Sequence, residues 1–413
     1  MVHLEAVHLG WEPLVTTWEE KMAAEMPEEY LKPLCQNIRE VCTIMLPFVR
    51  KNCKEMVGSV DANLITSALQ LISSFIGTEG GRLDLKKSQL PDLQIIVMNY
   101  LTFALCWSLG ANLHDSSRQT FSDKYRQEMK KRFLQYPDGD IYDYGIDPET
   151  HKLQLWVEKI PPFHYDPARS FFEILVPTGD TTKYMFLLNT LIGAGFNVLI
   201  TGETGVGKSV VTKDFLTNAP EHIVSACVNF SGKTTTKNLQ DAFEGNLQAK
   251  GKTLLGPPGG KKMIFFIDDV NMPQLDRYGS QPPCELLRQC IDAGGFYDTK
   301  KLVFKQIKDT RFVCACAPPG GGRNAVTPRL FRHFNMIWVP DLSENSMRTI
   351  FSSILKGFLE LNEQSGLSIF ADPVIKASVD IYQKAINDFL PTPSKCHYTF
   401  NLRDLSKVVQ GML

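Results

Sequence analysis

Gly202, Gly207, Lys208 and Ser209 stand in the order GxxxxGK[ST], with Gly205 a further glycine inside the run. The chemistry this pattern suits is the holding of a phosphate chain. Glycines let backbone N–H groups turn inward around anionic oxygens, and a helix starting directly afterwards adds its partial positive charge. Lys208 can reach the terminal phosphates, and the Ser209 hydroxyl can join a Mg²⁺ shell. The same letters also occur in surface glycine turns, so the setting decides. Val198-Leu199-Ile200 reads as a short buried strand, and Val210 to Leu216 can continue as a helix. Strand, glycine loop and helix are the geometry that phosphate binding needs.

A second constellation follows an apolar strand. Met263 to Ile267 runs straight into Asp268-Asp269. In a phosphate-hydrolysing site the first carboxylate would help hold Mg²⁺ and the second would orient or deprotonate an attacking water. The competing reading is a solvated strand edge or the start of a helix cap. The same strand-end logic marks the residues after Ala317, Pro318 to Arg323, where a polar side chain could sense a γ-phosphate. Ala317 itself cannot.

The elements that must position these residues can be traced along the chain. Residues 10 to 113 read as helices, with Leu31, Leu34, Ile38, Val41, Met45, Phe48 and Val49 at helical spacing. Leu64 to Ile76 and Leu93 to Leu109 follow in the same way, separated by a loop at Gly77 to Gly81. A charged helix is expected over Phe121 to Leu134, then a turn-rich connector from Tyr136 to Pro148, and strand composition at Leu153 to Val157. Phe171 to Thr178 opens a new domain, with a helix from Thr181 to Leu191. Strands are expected at Ile223 to Phe230, Met263 to Ile267, Arg311 to Ala317 and Asn335 to Val339. Helices are expected to start at Thr234 to Gln240 and to run from Pro283 to Cys290. Alternation of this kind implies a parallel, doubly wound α/β sheet with ligands beyond the strands' carboxyl ends. From Ser343 the chain turns helical. Met347, Ile350, Phe351, Ile354, Leu355 and Phe358 share one face, Val374 to Phe389 forms a second helix, and a last one begins near Asn401.

Composition sets the outer bounds. The 413 residues are 43% hydrophobic and 22% charged, enough for two or three domains with ordinary cores. Forty-four basic and 45 acidic residues leave a formal charge of −1, which gives no electrostatic case for nucleic acid or a membrane surface. The ten cysteines show neither CxxC nor zinc spacing, so reduced core thiols and a reducing, cytosol-like compartment are expected. The opening lacks the basic and apolar regions of a signal peptide. Ile95 to Leu109 is too short for a membrane span and reads as a buried helix.

Several motifs together resemble the third AAA+ module of dynein heavy chains. They are Leu175 to Thr178, Gly202 to Ser209, Phe266 to Pro273, Gln281 to Gln289, Gly294 to Asp298 and Ala317 to Asn324. The Asp-Val-Asn-Met-Pro form at Asp269 to Pro273 and the Pro-Pro-Gly-Gly-Gly-Arg form at Pro318 to Arg323 resemble axonemal dyneins. The opening Met1 to Glu5 with Leu9 to Leu14 is similar to the end of the second module running into its lid. The resemblance covers essentially the whole chain. It implies a fragment of a motor ring, a P-loop NTPase of the AAA+ type with a helical lid, preceded by a mainly helical subdomain. The implied division is 1–115 for the preceding module's lid region, 116–167 for a connector, 168–342 for the large α/β domain and 343–413 for a truncated small lid.

Carried over position by position, the resemblance implies that Leu175 and Val176 line an adenine pocket. Gly202, Glu203, Thr204, Gly205, Val206, Gly207, Lys208 and Ser209 would wrap the phosphates of ATP or ADP, with Ser209 and Asp268 serving Mg²⁺. Asp269 would take the catalytic carboxylate position and Arg403 that of a lid arginine sensing nucleotide. Arg332 would be a finger directed at the second module's nucleotide; a surface pair with Arg329, three residues away, is the plain alternative. Many AAA+ ATPases carry Glu where Asp269 stands, and a polar sensor where Ala317 stands, so binding with weak turnover is implied. The expected role is regulation of microtubule-based ciliary or flagellar movement, in the cytoplasm and cytoskeleton of the axoneme. The implied partners are neighbouring AAA+ modules, with dynein light and intermediate chains and microtubules reached through parts absent here, and neither nucleic acid nor membrane. A structural nucleotide holder without turnover and a stand-alone P-loop kinase are the alternatives; no acceptor-substrate motif supports the second.

Overall fold

The computed structural model describes residues 10–77, 82–88, 90–132, 138–298, 301–361, 365–390, 392, 395, 398 and 400–413. Expectations for Met1 to Leu9, Thr78 to Gly81, Leu134 and Tyr136-Pro137 lie outside the described residues. The chain divides into two compact units. The first comprises the residues through Leu155, Phe186–Thr201 and Asn218–Trp338; the second comprises Trp156–Met185, Gly202–Thr217 and Val339–Leu413.

The first unit opens with helices α1 (Glu12–Met22), α2 (Glu28–Asn52), α3 (Asp61–Phe75), α4 (Leu93–Leu109) and α5 (Asp115–Lys131). The stripe read from α2 is real: Leu31, Leu34, Ile38, Val41, Met45 and Val49 are all buried. Phe48 is exposed. In α4, twelve of seventeen residues are buried, so the apolar run is a core helix. Among the described residues, no helix is long and apolar enough to cross a membrane.

Helix α5 starts six residues before the expected Phe121 because His114 caps it, accepting from the Ser116 N–H. Its Glu128 is buried but bonded to Lys124, Lys131 and Arg132. Burial alone would raise that carboxyl; the three cations outweigh it and hold it down at about 2. The connector is more ordered than its turn residues suggest. Strands β1 (Tyr144–Ile146) and β2 (Leu153–Leu155) pair antiparallel across it.

After α6 (Gly179–Gly193) come β3 (Val198–Gly202), α7 (Lys208–Thr217), β4 (Ile223–Asn229), α8 (Thr236–Asn246), β5 (Gln248–Ala249), β6 (Leu254–Gly256) and β7 (Lys262–Asp268). Then follow α9 (Pro282–Asp292), β8 (Gly295–Tyr297), β9 (Phe304–Ile307), β10 (Thr310–Cys316), α10 (Pro328–Phe331) and β11 (Asn335–Val339). The five-stranded sheet has the order β11-β3-β10-β7-β4. The pairs β10–β3, β10–β7 and β4–β7 are parallel, as an alternating strand–helix pattern requires. Interior strand β7 is buried over Met263 to Ile267, which is why the sequence there is an unbroken apolar run.

A second sheet, β5-β6-β9-β8, was not legible in the sequence. Its strands are two to four residues long, below the length at which alternation carries information. Gly295 opens β8. A Cβ there would lie 2.1 Å from the Lys305 carbonyl, so this glycine permits the β8–β9 approach.

In the second unit, α11 (Glu344–Leu361), α12 (Ala371–Asp388) and α13 (Leu402–Gln410) pack around Met347, Phe351, Leu355, Ala371, Ile375, Val379, Leu405 and Val409.

Candidate functional site

The phosphate loop is drawn tight by its own backbone. Strand β3 ends at Gly202 and α7 begins at Lys208. Gly205 and Gly207 have φ of +97° and +94°, a region that only glycine enters freely. A Cβ at Gly202 would sit 2.7 Å from the Val339 carbonyl oxygen, so this glycine is demanded by close approach instead. Lys208 is buried, and its Nζ donates to the Gly202 and Glu203 carbonyls, each at 2.7 Å. A cation buried on two backbone carbonyls of the same turn is ready to exchange them for phosphate oxygens, which bear full charge. Val206 is buried, Ser209 is half-buried in the first turn of α7, and Glu203 and Thr204 are exposed. This donor set fits a nucleotide phosphate chain with its Mg²⁺.

The same unit brings the end of the chain to this loop. The place a Gly205 Cβ would occupy lies 3.4 Å from the Leu402 nitrogen and 3.5 Å from the Asn401 Cβ. Helix α13 starts there in a capping box: Asn401 Oδ1 accepts from the Arg403 N–H, and Asp404 accepts from the Asn401 N–H. Arg403 is exposed in that first turn, Leu175 is half-buried and Val176 is buried.

Asp268, Asp269 and Arg332 belong to the other unit. Asp268 ends β7 and accepts from the Asp269 N–H at 3.1 Å. Asp269 has φ +52°, a left-handed conformation that Asp and Asn tolerate better than other side chains. That gives a local reason for Asp in place of the longer Glu. Its Oδ1 lies 3.6 Å from a terminal nitrogen of Arg323.

A polar brace fixes this region. Asn271 donates to the Ala317 carbonyl at 2.7 Å, Gln281 to the Pro273 carbonyl at 2.6 Å, and Asn324 to the Pro273 carbonyl at 2.9 Å. Sequence reasoning quoted Asn271, Gln281, Arg323 and Asn324 inside motifs without giving them roles. The available signal was three amide side chains in the proline-bearing segments that follow β7 and β10. The glycine run Gly320 to Gly322 is a tight hairpin, closed by mutual Gly320–Arg323 backbone bonds of 3.0 Å. Its use is to deliver Arg323.

Arg332 caps the four-residue α10 and is half exposed. Its guanidinium lies 3.1 Å from Asp292, which also meets His333 at 2.9 Å and Arg288 at 2.7 Å. Of the two arginines on the turn, Arg332 has a local carboxylate, and Arg329 is exposed. Burial pushes His333 down from the ordinary imidazole range, against the pull of Asp292. Among the described residues, no group of three His, Cys, Asp or Glu could hold a metal ion by itself.

The comparisons with known proteins agree with this architecture. Residues 163–342 match the P-loop containing dynein motor region, residues 31–158 the dynein heavy chain AAA lid domain, and residues 374–413 the AAA+ lid domain. The whole chain aligns with dynein axonemal heavy chain 6 of Homo sapiens at 41% identity over 422 residues. It aligns equally fully with dynein axonemal heavy chain 1 of Mus musculus at 38% over 452 residues, and with dynein axonemal heavy chain 2 of Homo sapiens at 35% over 416. The chain belongs to the axonemal dynein heavy chain family. It spans 10%, 10% and 9% of the length of those three relatives. The phosphate loop and Asp268-Asp269 therefore fall within an AAA+ dynein motor region, and the dynein lid match covers the β1–β2 pair as well as α2 to α5.

Proposed function

We propose that this dynein segment is an ATP-binding regulatory module, the third of the motor ring, preceded by the lid of the second. On this reading its nucleotide state is relayed to neighbouring AAA+ modules and so governs microtubule-based movement of cilia or flagella. Contacts with microtubules and with dynein light and intermediate chains would be made by other parts of a heavy chain.

The observation that carries the reading is the Lys208 amine, buried on the Gly202 and Glu203 carbonyls at the start of α7. In the proposed roles, the N–H groups of Gly202 to Ser209 and the Lys208 amine hold the phosphates. Ser209 and Asp268 hold Mg²⁺, which when bound shields the phosphate charge. Leu175 and Val176 contact adenine, and Arg403, in the turn against Gly205, answers to the state of the phosphates. Asp269 takes the water-activating position and Arg332 serves the preceding module. A second reading, a nucleotide holder that never cycles, is favoured by one specific feature: Asp269 is already engaged by Arg323, and Ala317 offers no polar group beside it.

Calorimetric titration with Mg·ATP tests the binding claim. Lys208→Ala removes a charge-assisted contact and should weaken binding by at least ~2 kcal/mol, about 30-fold. Equal affinity in wild type and variant would dismiss the phosphate-loop reading.

A further inference from the structure

Arg323 is the cation that the geometry leaves without an assigned task. Three consecutive glycines at φ +132°, +57° and +87° let the chain fold back on itself and bring Arg323 to the end of β7. The base of that hairpin is not free to drift. The Asn324 N–H donates to the Asn271 carbonyl at 3.0 Å, and the Val270 N–H donates to the Ala315 carbonyl at 3.0 Å, so the two strand ends are tied together at the two residues that follow Asp269. The Arg323 side chain is only 21% exposed, and its Nε is buried without a hydrogen-bond partner. A buried guanidinium nitrogen with no acceptor is costly. The braced loop holds it there, and the charge of the head group is directed at Asp269 Oδ1, 3.6 Å away.

We infer that Arg323 is a positioning residue that withholds the Asp269 carboxylate from an attacking water. The inference rests on the nucleotide reading for the step it affects. In that step the water oxygen bonds to the γ-phosphorus as the bond from that phosphorus to the bridging oxygen breaks. The water's proton passes to the Asp269 carboxylate, and ADP leaves with the bridging oxygen. A carboxylate oxygen engaged by a guanidinium is turned away from that water. An ion pair of this exposure is worth up to ~1 kcal/mol, which makes about a fivefold difference in rate.

The test is single-turnover phosphate release by this chain, in excess over γ-labelled Mg·ATP. Parent, R323Q, R323M, R323K, D269N and R323Q/D269N are compared, with ATP affinity and urea midpoint measured for each. R323Q, and R323M with its apolar stem kept, should release phosphate about fivefold faster at unchanged ATP affinity. R323K should stay near the parent. R323Q/D269N should be no faster than D269N, because the gain acts through Asp269. The proposal is overturned by an unchanged or slower rate in R323Q and R323M, by a gain that survives in R323Q/D269N, or by loss of ATP affinity, which would make Arg323 a nucleotide ligand. Failure of both R323Q and R323M to fold while R323K folds would also overturn it, since the charge would then serve the fold. Absence of ATP binding in the parent would instead strike the nucleotide reading. The urea midpoints then decide the pair alone: coupled shifts in R323Q and D269N support the hold on Asp269, and additive shifts overturn it.

Discussion

The phosphate loop is built from backbone, whereas the acidic strand end is built from side chains. Around Gly202 to Ser209 the positions are set by left-handed glycines, a carbonyl 2.7 Å from where a Cβ would be, and a lysine amine on two main-chain oxygens. At the end of β7 the Asp269 carboxylate is met by Arg323, and at the end of α9 Asp292 is met by Arg332, His333 and Arg288. Backbone geometry is present before any ligand arrives and changes little when one does. Half-exposed ion pairs contribute ~0–1 kcal/mol, are screened by salt, and can exchange partners. On the proposed reading, the difference teaches that holding a nucleotide and acting on it depend on parts of unequal stiffness.

Turnover is where that inequality should show most. On the proposed reading the loop supplies binding, but Asp269 is engaged by Arg323, Ala317 offers no polar group, and the arginine finger for this site would come from a following module. A trans arginine is worth roughly 10³–10⁵ in related phosphoryl transfers. Phosphate release by this chain should therefore fall at least ~10³-fold below the ~1 s⁻¹ of slow but competent enzymes. A rate near ~1 s⁻¹ would erase the contrast between the two regions.

The sequence made the stiff region legible and left the soft one obscure, for a physical reason. Glycines, Lys208 and Ser209 must lie within one turn, so their spacing is visible along the chain. The sheet was readable for the same reason, since β7 and β10 are buried on both faces and their apolar runs are unbroken. Arg323 lies 54 positions from Asp269 and Arg332 lies 40 from Asp292. Pairings over such separations depend on how strands are ordered, which no local pattern reports. The second sheet escaped on length, and the early start of α5 because His114 was not weighed as a cap.

A smaller effect should separate the glycines from one another. Gly202→Ala puts a methyl 2.7 Å from the Val339 carbonyl oxygen, a backbone atom that cannot rotate aside. The cost should be ~1–3 kcal/mol, the range for overpacking a tight site, read as a lower urea midpoint at constant slope. A Gly202→Ala variant as stable as the parent would mean that close approach is not what fixes this end of the loop.

The smallest expected effect belongs to Arg332, and it bears on what the ion-paired turn is for. Its side chain is 54% exposed and shares Asp292 with His333 and Arg288, so Arg332→Ala leaves the carboxylate two partners. The stability loss should stay below ~1 kcal/mol and shrink with added salt. The ATP affinity of this chain should not change, because in the proposed arrangement Arg332 serves the preceding module's nucleotide and not its own. In a longer protein carrying both complete modules, with Lys208→Ala silencing the third site, the same change should weaken ATP at the second site. Titration of both proteins decides the matter. A drop in ATP affinity in the short chain would show Arg332 acting on its own module. The soft region would then belong to the same binding site as the stiff one, and the assignment of Arg332 to a neighbouring module would have to be given up.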